Sequence, residues 1–251
     1  MNHLDQLVLF LISLVANTFS AFSGGGAGLI QFPVLIFLGL SFSVALATHK
    51  VASVALGLGA ISRYISTSHL ERKFVLIMLI AGVPGVVFGG SFILFVPEKI
   101  AVMALGILTG GLGLYSIFKP SLGLKDNPQH RNTQGYILGS IVLFLLGILN
   151  GSLTSGTGLF VTIWLVVWFG LDYQRAVAYT LILVGIFWNG AGAITLGILG
   201  EIQWEWLPAL LLGSLFGGYL GSHLAIKHGS RWIKRSFELV TLLISIKLIL
   251  G

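Results

Sequence analysis

Two short stretches of small residues have the types and spacing that could bind an anion. Residues 23–29 read SGGGAGL and residues 153–159 read LTSGTGL, and each interrupts an apolar run. A new helix is predicted to begin within each stretch, at about Ala27 and Thr157. The first N–H groups of a helix lack partners inside it, and the macrodipole makes that end positive. We therefore predict that an anion is bound by Ser23, Gly24, Gly25, Gly26, Gly28, Thr154, Ser155, Gly156, Thr157 and Gly158.

The alternative is that these glycines serve only helix packing, because small residues allow membrane helices to approach closely. The chain contains 34 glycines, and packing is the simpler explanation for those within 82–90 and 213–221. At the two small-residue stretches, hydroxyl-bearing residues accompany the glycines. That combination favours a ligand site over packing alone.

Polar residues inside the apolar segments add to this candidate site. Lys50 lies within the segment 43–63, where a charge costs about 3 kcal/mol or more and is a functional candidate. Its ammonium would complement an anion, and the alternative is a side chain that snorkels to the outer headgroups. His49 and Asn189 are either members of the site or hydrogen-bonded packing residues. The candidate site accordingly also contains Thr48, His49, Lys50, Thr180 and Asn189.

The elements that position these residues require a lipid environment. Of the 251 residues, 56% are hydrophobic and 9% are charged, and the mean hydropathy is +0.99. A soluble domain carries about 25% charged residues. The composition therefore predicts an all-α integral membrane protein whose surface is covered by the bilayer.

Several classes of function are disfavoured by the same composition. There is no cysteine, so disulfides and thiol chemistry are excluded. The net charge of +6 is interpreted as membrane topology rather than nucleic-acid binding. No metal-ligand spacing, carboxylate pair within a span or Gly-x-Ser-x-Gly motif is present. We expect no enzyme, no cofactor and no metal site.

The sequence contains an internal repeat with an offset of 130 to 132 residues. Besides the two small-residue stretches, FLGLSFSVALAT at 37–48 corresponds to WFGLDYQRAVAYT at 168–180. Further on, GVVFGGSF at 85–92 corresponds to GGYLGSHL at 217–224. The chain is therefore predicted to be a duplication.

The duplication predicts one membrane domain with two repeats, residues 1–118 and 135–251, joined by a cytoplasmic linker at 119–134. A full membrane span needs about 20 residues. The second apolar segment of each repeat, at 28–39 and 158–170, is too short to cross. Each repeat is predicted to begin with a broken, re-entrant helical hairpin, which three transmembrane helices follow.

Charges in the loops predict that the two repeats have inverted topology. Loop 63–73 carries three Lys or Arg residues and one acidic residue, whereas its counterpart at 200–206 carries two acidic residues and no Lys or Arg. Cytoplasmic loops carry the excess of Lys and Arg. Equivalent loops therefore lie on opposite sides of the membrane, and both termini lie outside. Inverted repeats with interrupted helices indicate a transporter with its site near the bilayer midplane.

These motifs resemble those of a known family. FSGGGAGLIQFPVLIFLGLSFSVALAT at 22–48 is similar to the opening motif of the TauE/SafE sulfite exporter family, and GGYLGSHLA at 217–225 is similar to its second-half glycine motif. The resemblance extends over nearly the whole chain, including the duplication and the polar linker. Members are bacterial, archaeal and plant membrane proteins linked to the movement of small sulfur-containing anions. The matched motif positions here are Gly24, Gly25, Gly26, Gly28, Ser155, Gly156, Thr157 and Gly158.

The resemblance implies a secondary transporter in the cell inner membrane, moving an anion of the sulfite or organosulfonate class by alternating access. Export is the expected direction, and the transport is either coupled to the proton gradient or facilitated. Two alternatives stay open, a passive anion channel of the same architecture and a membrane scaffold subunit for a neighbouring enzyme. The particular anion does not carry over, because members differ in substrate, and the sequence makes no prediction of oligomeric state.

Overall fold

A computed structural model describes residues 3–66, 70–92, 107, 110–111, 113–153 and 156–250, without the side chains of His3, Ile244 and residues 247–250. Throughout these ranges the regular secondary structure is helical, with no strand. Six helices are long and apolar enough to cross a membrane, which confirms the expected all-α class for the described residues. Thr154 and Ser155 lie outside the described residues, as does most of 99–118, the apolar segment that would form the last of the three transmembrane helices expected in the first repeat.

The first half of the chain begins with a long helix, a glycine turn and a short helix. Helix α1 spans His3–Ser23, a 3-10 turn covers Ala27–Leu29, and α2 spans Gln31–Phe37. A helix was expected from about Ala27, but the chain forms one 3-10 turn there and the α-helix begins four residues later. Two long helices follow, α3 at Phe42–Tyr64 and α4 at Arg72–Phe92.

The second half repeats this order with a longer second arm. Helix α5 spans Thr133–Leu153, and α6 spans Thr157–Phe169, so α6 begins where the sequence predicts. Helix α7 covers Tyr173–Leu199, and its middle section, Thr180–Trp188, is a π-helix. Helices α8 at Leu207–His228 and α9 at Ser230–Leu250 complete the chain.

The two arms of each hairpin differ in length. The first arms, α1 and α5, have 21 residues each and are long enough to span a membrane by themselves. The second arms, at Ala27–Phe37 and Thr157–Phe169, are short apolar helices. The short second arms are as predicted from the sequence.

Glycines bring the helices of the bundle into backbone contact. Helix α1 packs along α8, α5 packs along α4, and α3 lies between α8 and α7. A Cβ added at Gly217 would lie 2.7 Å from the carbonyl oxygen of Leu14, and one at Gly151 would lie 2.1 Å from that of Val86. Both distances are too short for any side chain. Small residues are therefore required at these crossings.

An ion cluster joins the linker to both halves of the chain. Arg175, in the first turn of α7, lies 2.6 Å from Glu71 in the α3–α4 loop and 3.2 Å from Asp126 in the linker. Arg131 of the linker contacts the same two carboxylates at 3.7 and 3.2 Å. These side chains are partly exposed, and each such pair contributes about 1 kcal/mol or less. Their main effect is to fix where the linker lies.

Candidate anion site between the two glycine-rich turns

The two small-residue stretches meet each other inside the bundle. A Cβ added at Gly25 would lie 2.6 Å from the carbonyl carbon of Gly158, and one at Gly158 would lie 3.2 Å from the Cα of Gly25. The backbone also needs glycine here. Gly24, Gly25 and Gly26 have φ angles of 93, 134 and 102°, a region that L side chains rarely adopt. Helix α1 therefore ends at Ser23, and the glycine turn that follows packs against the start of α6.

A cavity of about 40 Å³ lies beside this contact. One water needs about 10–15 Å³ of this kind of volume, so the cavity accommodates a small polar ligand or a few waters. Its position along α3 is central, because Ser53 on its wall is midway between the ends of that helix. Eight predicted residues lie on its wall: Gly25, Gly26, Gly28, His49, Thr157, Gly158, Thr180 and Asn189.

Five other predicted residues lie near the wall but not on it: Ser23, Gly24, Thr48, Lys50 and Gly156. The Ser23 hydroxyl donates to carbonyl oxygens of its own turn and helix. The Gly24 carbonyl accepts a hydrogen bond of 2.5 Å from Thr162. The Thr48 hydroxyl accepts one of 3.0 Å from the backbone N–H of Gln203. These groups hold the turns and loops in place.

Lys50 is buried directly behind the cavity wall, with no exposed surface. Its Nζ donates to the backbone and side-chain oxygens of Asn150, both at 2.6 Å, and to Oδ1 of Asn189 at 3.1 Å. Three acceptors match the three donors of an ammonium. Both asparagines line the cavity, so the lysine charge is held against it. A lysine that snorkels would keep its head in water, and this geometry excludes that alternative.

His49 uses both ring nitrogens inside the bundle. Its Nδ1 is 3.0 Å from Oε1 of Gln31, and its Nε2 is 3.2 Å from Oγ of Ser53. The amide oxygen can only accept, so Nδ1 carries the hydrogen and Nε2 accepts from Ser53 when the ring is neutral. Gln31 continues the network to Asn17 and Ser13 on α1. His49 is thus both hydrogen-bonded and on the cavity wall.

The Ser20 hydroxyl is a polar group on the wall that nothing in the described structure satisfies. Its side chain is 3% exposed and its oxygen has no hydrogen-bond partner. Buried hydroxyls in native proteins are nearly always paired. A ligand or water in the cavity would supply the missing partner.

Several contributors to this site were not predicted from the sequence. Asn150 is not among the predicted site residues, yet it lines the cavity and accepts a hydrogen bond from Lys50. The offset of 130 aligns Asn150 with Ser20, so polar residues at equivalent positions before both turns were a usable signal. Gln31 carried no signal beyond being polar in an apolar segment.

The arrangement offers hydrogen bonds and charge rather than a reactive centre. Among the described residues, no three His, Cys, Asp or Glu side chains are grouped so that they could hold a metal ion. The cavity wall presents hydroxyls, an imidazole, amides and backbone groups, with one ammonium behind them. That set suits reversible binding of a small oxyanion.

Known proteins named as membrane transporters are similar in sequence to nearly the whole chain. The family model described as Sulfite exporter TauE/SafE matches residues 9–248. A Haemophilus influenzae protein named "Probable membrane transporter protein" is 27% identical over 244 residues, covering 96% of this chain and 93% of that protein. The Escherichia coli K12 "Probable membrane transporter protein YfcA" is 26% identical, over 96% and 88% of the two chains. The Bacillus subtilis "Probable membrane transporter protein YunE" is 24% identical, over 97% of each.

Proposed function

The chain belongs to the sulfite exporter TauE/SafE family, and we propose that it is a secondary transporter of a small sulfur-containing anion. The substrate is of the sulfite or organosulfonate class, and it is exported across the cell inner membrane. It binds in the cavity between the two glycine-rich turns. Access to that cavity alternates between the two sides of the membrane.

The observation that carries this proposal is the burial of the Lys50 amino group against the cavity wall. In the described part of the chain its Nζ meets neutral oxygens of Asn150 and Asn189 and forms no ion pair. A buried charge without a counter-charge is costly. An anion in the adjacent cavity would remove much of that cost, whereas a cation would be repelled.

The remaining groups on the wall suit an oxyanion. Helix α6 begins at Thr157, so its first backbone N–H groups and the positive end of its macrodipole lie at the cavity. The unpaired Ser20 hydroxyl is a further donor. The contribution of the first turn is smaller than expected, because α2 is preceded by only a 3-10 turn. The two halves therefore contribute unequally.

The helix pairing supports two inverted repeats, residues 1–118 and 135–251. Helix α1 packs along α8 in the same way that α5 packs along α4, and α4 and α8 carry the equivalent glycine motifs. A pseudo-twofold axis would exchange these two pairs and pass near the contact of Gly25 with Gly158. In such transporters one unit rocks against the other around a central site. Opposite loop charge supports a linker 119–134 on the inside and both termini on the outside.

The size of the cavity favours alternating access over a channel. At about 40 Å³ it is a small central space, whereas a channel keeps a continuous aqueous path. Saturation and counterflow separate the two mechanisms, because a channel shows neither.

Proton coupling would act through His49 and Ser53. With a neutral ring, the Ser53 hydroxyl donates to Nε2 and offers the cavity only lone pairs. A proton on Nε2 reverses that bond, which frees the Ser53 O–H to donate to an anion. The charged group beside His49 is Lys50 on α3, while α1, α2 and α7 present the neutral Ser20, Gln31 and Thr180. A proton on His49 and an anion in the cavity would attract each other, so each would favour binding of the other.

Flux into proteoliposomes tests the proposed function. Purified protein is reconstituted, and uptake of radiolabelled sulfite, sulfoacetate and thiosulfate is measured against empty vesicles. At least one should enter with saturation and be accelerated by unlabelled anion on the opposite side. Transport of none of the three above background would overturn the sulfur-anion assignment. Flux without saturation or counterflow would replace the transporter by a channel.

A further inference from the structure

A second cavity, of about 260 Å³, lies where the first turns of α9 meet the segment that enters the linker. Three basic side chains and one acidic side chain line it: Arg231, Lys234, Arg235 and Glu238. Apolar residues from the other segment, Ile117, Pro120 and Leu124, complete its wall. It shares no residue with the anion site between the turns.

The charges of this pocket divide into a fixed pair and two available guanidinium groups. Lys234 donates to the backbone oxygen of Ser116 at 2.5 Å and pairs with Glu238, so these two charges compensate each other. Arg231 and Arg235 are exposed and form no ion pair within the described residues. The pocket therefore presents a net charge of two positive units to whatever enters it.

The position of the pocket on α9 indicates a membrane interface. Arg231 and Arg235 follow the start of this 21-residue helix at Ser230, where the macrodipole adds positive potential. Trp232 stacks beneath Arg235, with 5.5 Å from the guanidinium carbon to the ring centroid, and tryptophan is enriched at membrane interfaces. One to two turns further on, Leu239 and Leu243 are more than half exposed, as side chains facing acyl chains are.

We propose that Arg231 and Arg235 bind the phosphate group of an anionic phospholipid headgroup. Guanidinium groups bind phosphate oxygens in bidentate pairs, and basic pockets at the cytoplasmic ends of membrane helices hold such headgroups. The acyl chains then run along the exposed face of α9. A soluble phosphate would present the same chemistry without the chains, and the assay below separates these two sources.

Lipid binding to the purified full-length chain in detergent tests the proposal, with retention followed by native mass spectrometry. Phosphatidylglycerol, phosphatidylcholine and inorganic phosphate are titrated separately. The variant Arg231→Gln/Arg235→Gln should bind phosphatidylglycerol about thirty-fold more weakly. The matched control, Arg72→Gln/Lys227→Gln, removes two exposed charges elsewhere and should bind as the unmodified chain does. Phosphatidylcholine should be retained poorly by all of them.

Two further variants test the roles of geometry and charge in the proposed phosphate site. Arg231→Lys/Arg235→Lys should retain an intermediate affinity, because the charge remains but the bidentate geometry is lost. Glu238→Gln removes the negative charge of the pocket and should strengthen binding. Retention of inorganic phosphate, lost in the Gln pair, would assign the site to a soluble phosphate instead of a lipid. Equal loss in site and control variants, or no loss in either, would overturn the phosphate site.

Discussion

Lys50 and His49 are neighbours on α3, yet they face the candidate site in different ways. The Lys50 Nζ is fixed by two asparagines behind the wall. His49 lies on the wall and exchanges a hydrogen bond with Ser53. One residue therefore supplies an amino group in a fixed position, and the other supplies a ring that can take up a proton. The proposed mechanism needs both, because the ammonium form of Lys50 attracts the anion and protonation of His49 couples the anion to a proton.

Replacing Lys50 by Gln should abolish anion binding while leaving the fold intact. Glutamine keeps donors for Asn150 and Asn189 but removes the charge. Loss of one member of a buried ion pair costs about 3–5 kcal/mol, so the anion affinity should fall by about 100-fold or more. Flux in proteoliposomes and thermal unfolding measure the two effects. The exposed Lys119→Gln is the matched control, and a similar loss in that variant would contradict the assignment.

Replacing Ser53 by Ala should uncouple the anion from the proton without stopping transport. In the unmodified chain, a lower pH on the loading side should accelerate uptake, because protonation of His49 turns the Ser53 hydroxyl toward the anion. Without that hydroxyl the acceleration should disappear, while uptake at fixed pH falls by about tenfold for one lost hydrogen bond to a charge. Ser62→Ala, on the same helix but off the cavity wall, is the control. If a lower pH accelerates uptake by Ser53→Ala as much as by the unmodified chain, proton coupling through His49 and Ser53 is excluded.

The two turns are the elements that create the site, and their conformation depends on glycine for two separate reasons. At Gly25 the φ angle of 134° disfavours any side chain, and the close approach of Gly158 leaves no room for one. The same turn ends α1 and aims α2 back along the bundle. A change in the spacing of the turns would therefore alter the cavity directly.

Gly25→Ala should lower stability and abolish transport together. The added Cβ meets backbone atoms 2.6 Å away that have no flexible side chain to yield. Gly39→Ala separates the steric clash from the backbone strain, since Gly39 has a φ of 102° but nothing within 4 Å of an added Cβ. That control should show only the backbone strain of about 1–3 kcal/mol. Equal losses of stability in the two variants, measured by thermal unfolding, would argue against a tight contact between the turns.

The sequence predicted the helical class, the short second arms and the α6 start at Thr157, because these follow from composition, segment length and repeated small residues. It placed Ser23 in the site, but the structure turns that hydroxyl toward its own backbone. Whether a helical residue faces the cavity or the preceding turn depends on a rotation of the helix that an apolar sequence does not encode. For the same reason Ser20, three residues earlier, was overlooked.

The π-helix at Thr180–Trp188 could not be predicted from the sequence either. The run TLILVGIFW is uniformly apolar apart from its first residue, so no periodicity marks a change of hydrogen-bond pattern. The end of this section is tightly packed. Trp188 is buried against Gly82, where an added Cβ would lie 1.8 Å from the indole ring, and it donates to the carbonyl of Met78. Thr180 and Gly185 of this section line the cavity, and π-helical sections are frequent at functional sites.

At the scale of the whole molecule, the proposal requires that equivalent loops lie on opposite sides of the membrane. The ion cluster of Glu71, Asp126, Arg131 and Arg175 gathers the linker and one loop of each half at a single end of the bundle. If that end is cytoplasmic, the cluster would help to close the inner side of the site. The outer side would then carry the acidic loop 200–206.

Single cysteines test this topology cleanly, because the chain contains none of its own. Arg72→Cys and Glu201→Cys occupy equivalent, exposed positions in the two halves. A membrane-impermeant maleimide added to intact cells should label the second and spare the first, and permeabilised cells should show both labelled. Lys125→Cys in the linker should behave like Arg72→Cys. Labelling of both loops from the same side would rule out inverted repeats.

The central claim is that the anion binds between the two turns beside Lys50, and the most direct test is to locate it. Selenite is a heavier analogue of sulfite, and its selenium gives an anomalous signal in crystals of the protein. The account predicts one strong selenium peak in the cavity, placed so that the selenite oxygens lie about 3 Å from the donors at the start of α6 and at Ser20, and no peak in Lys50→Gln crystals. A transported selenite that leaves the cavity empty and binds elsewhere would contradict the account.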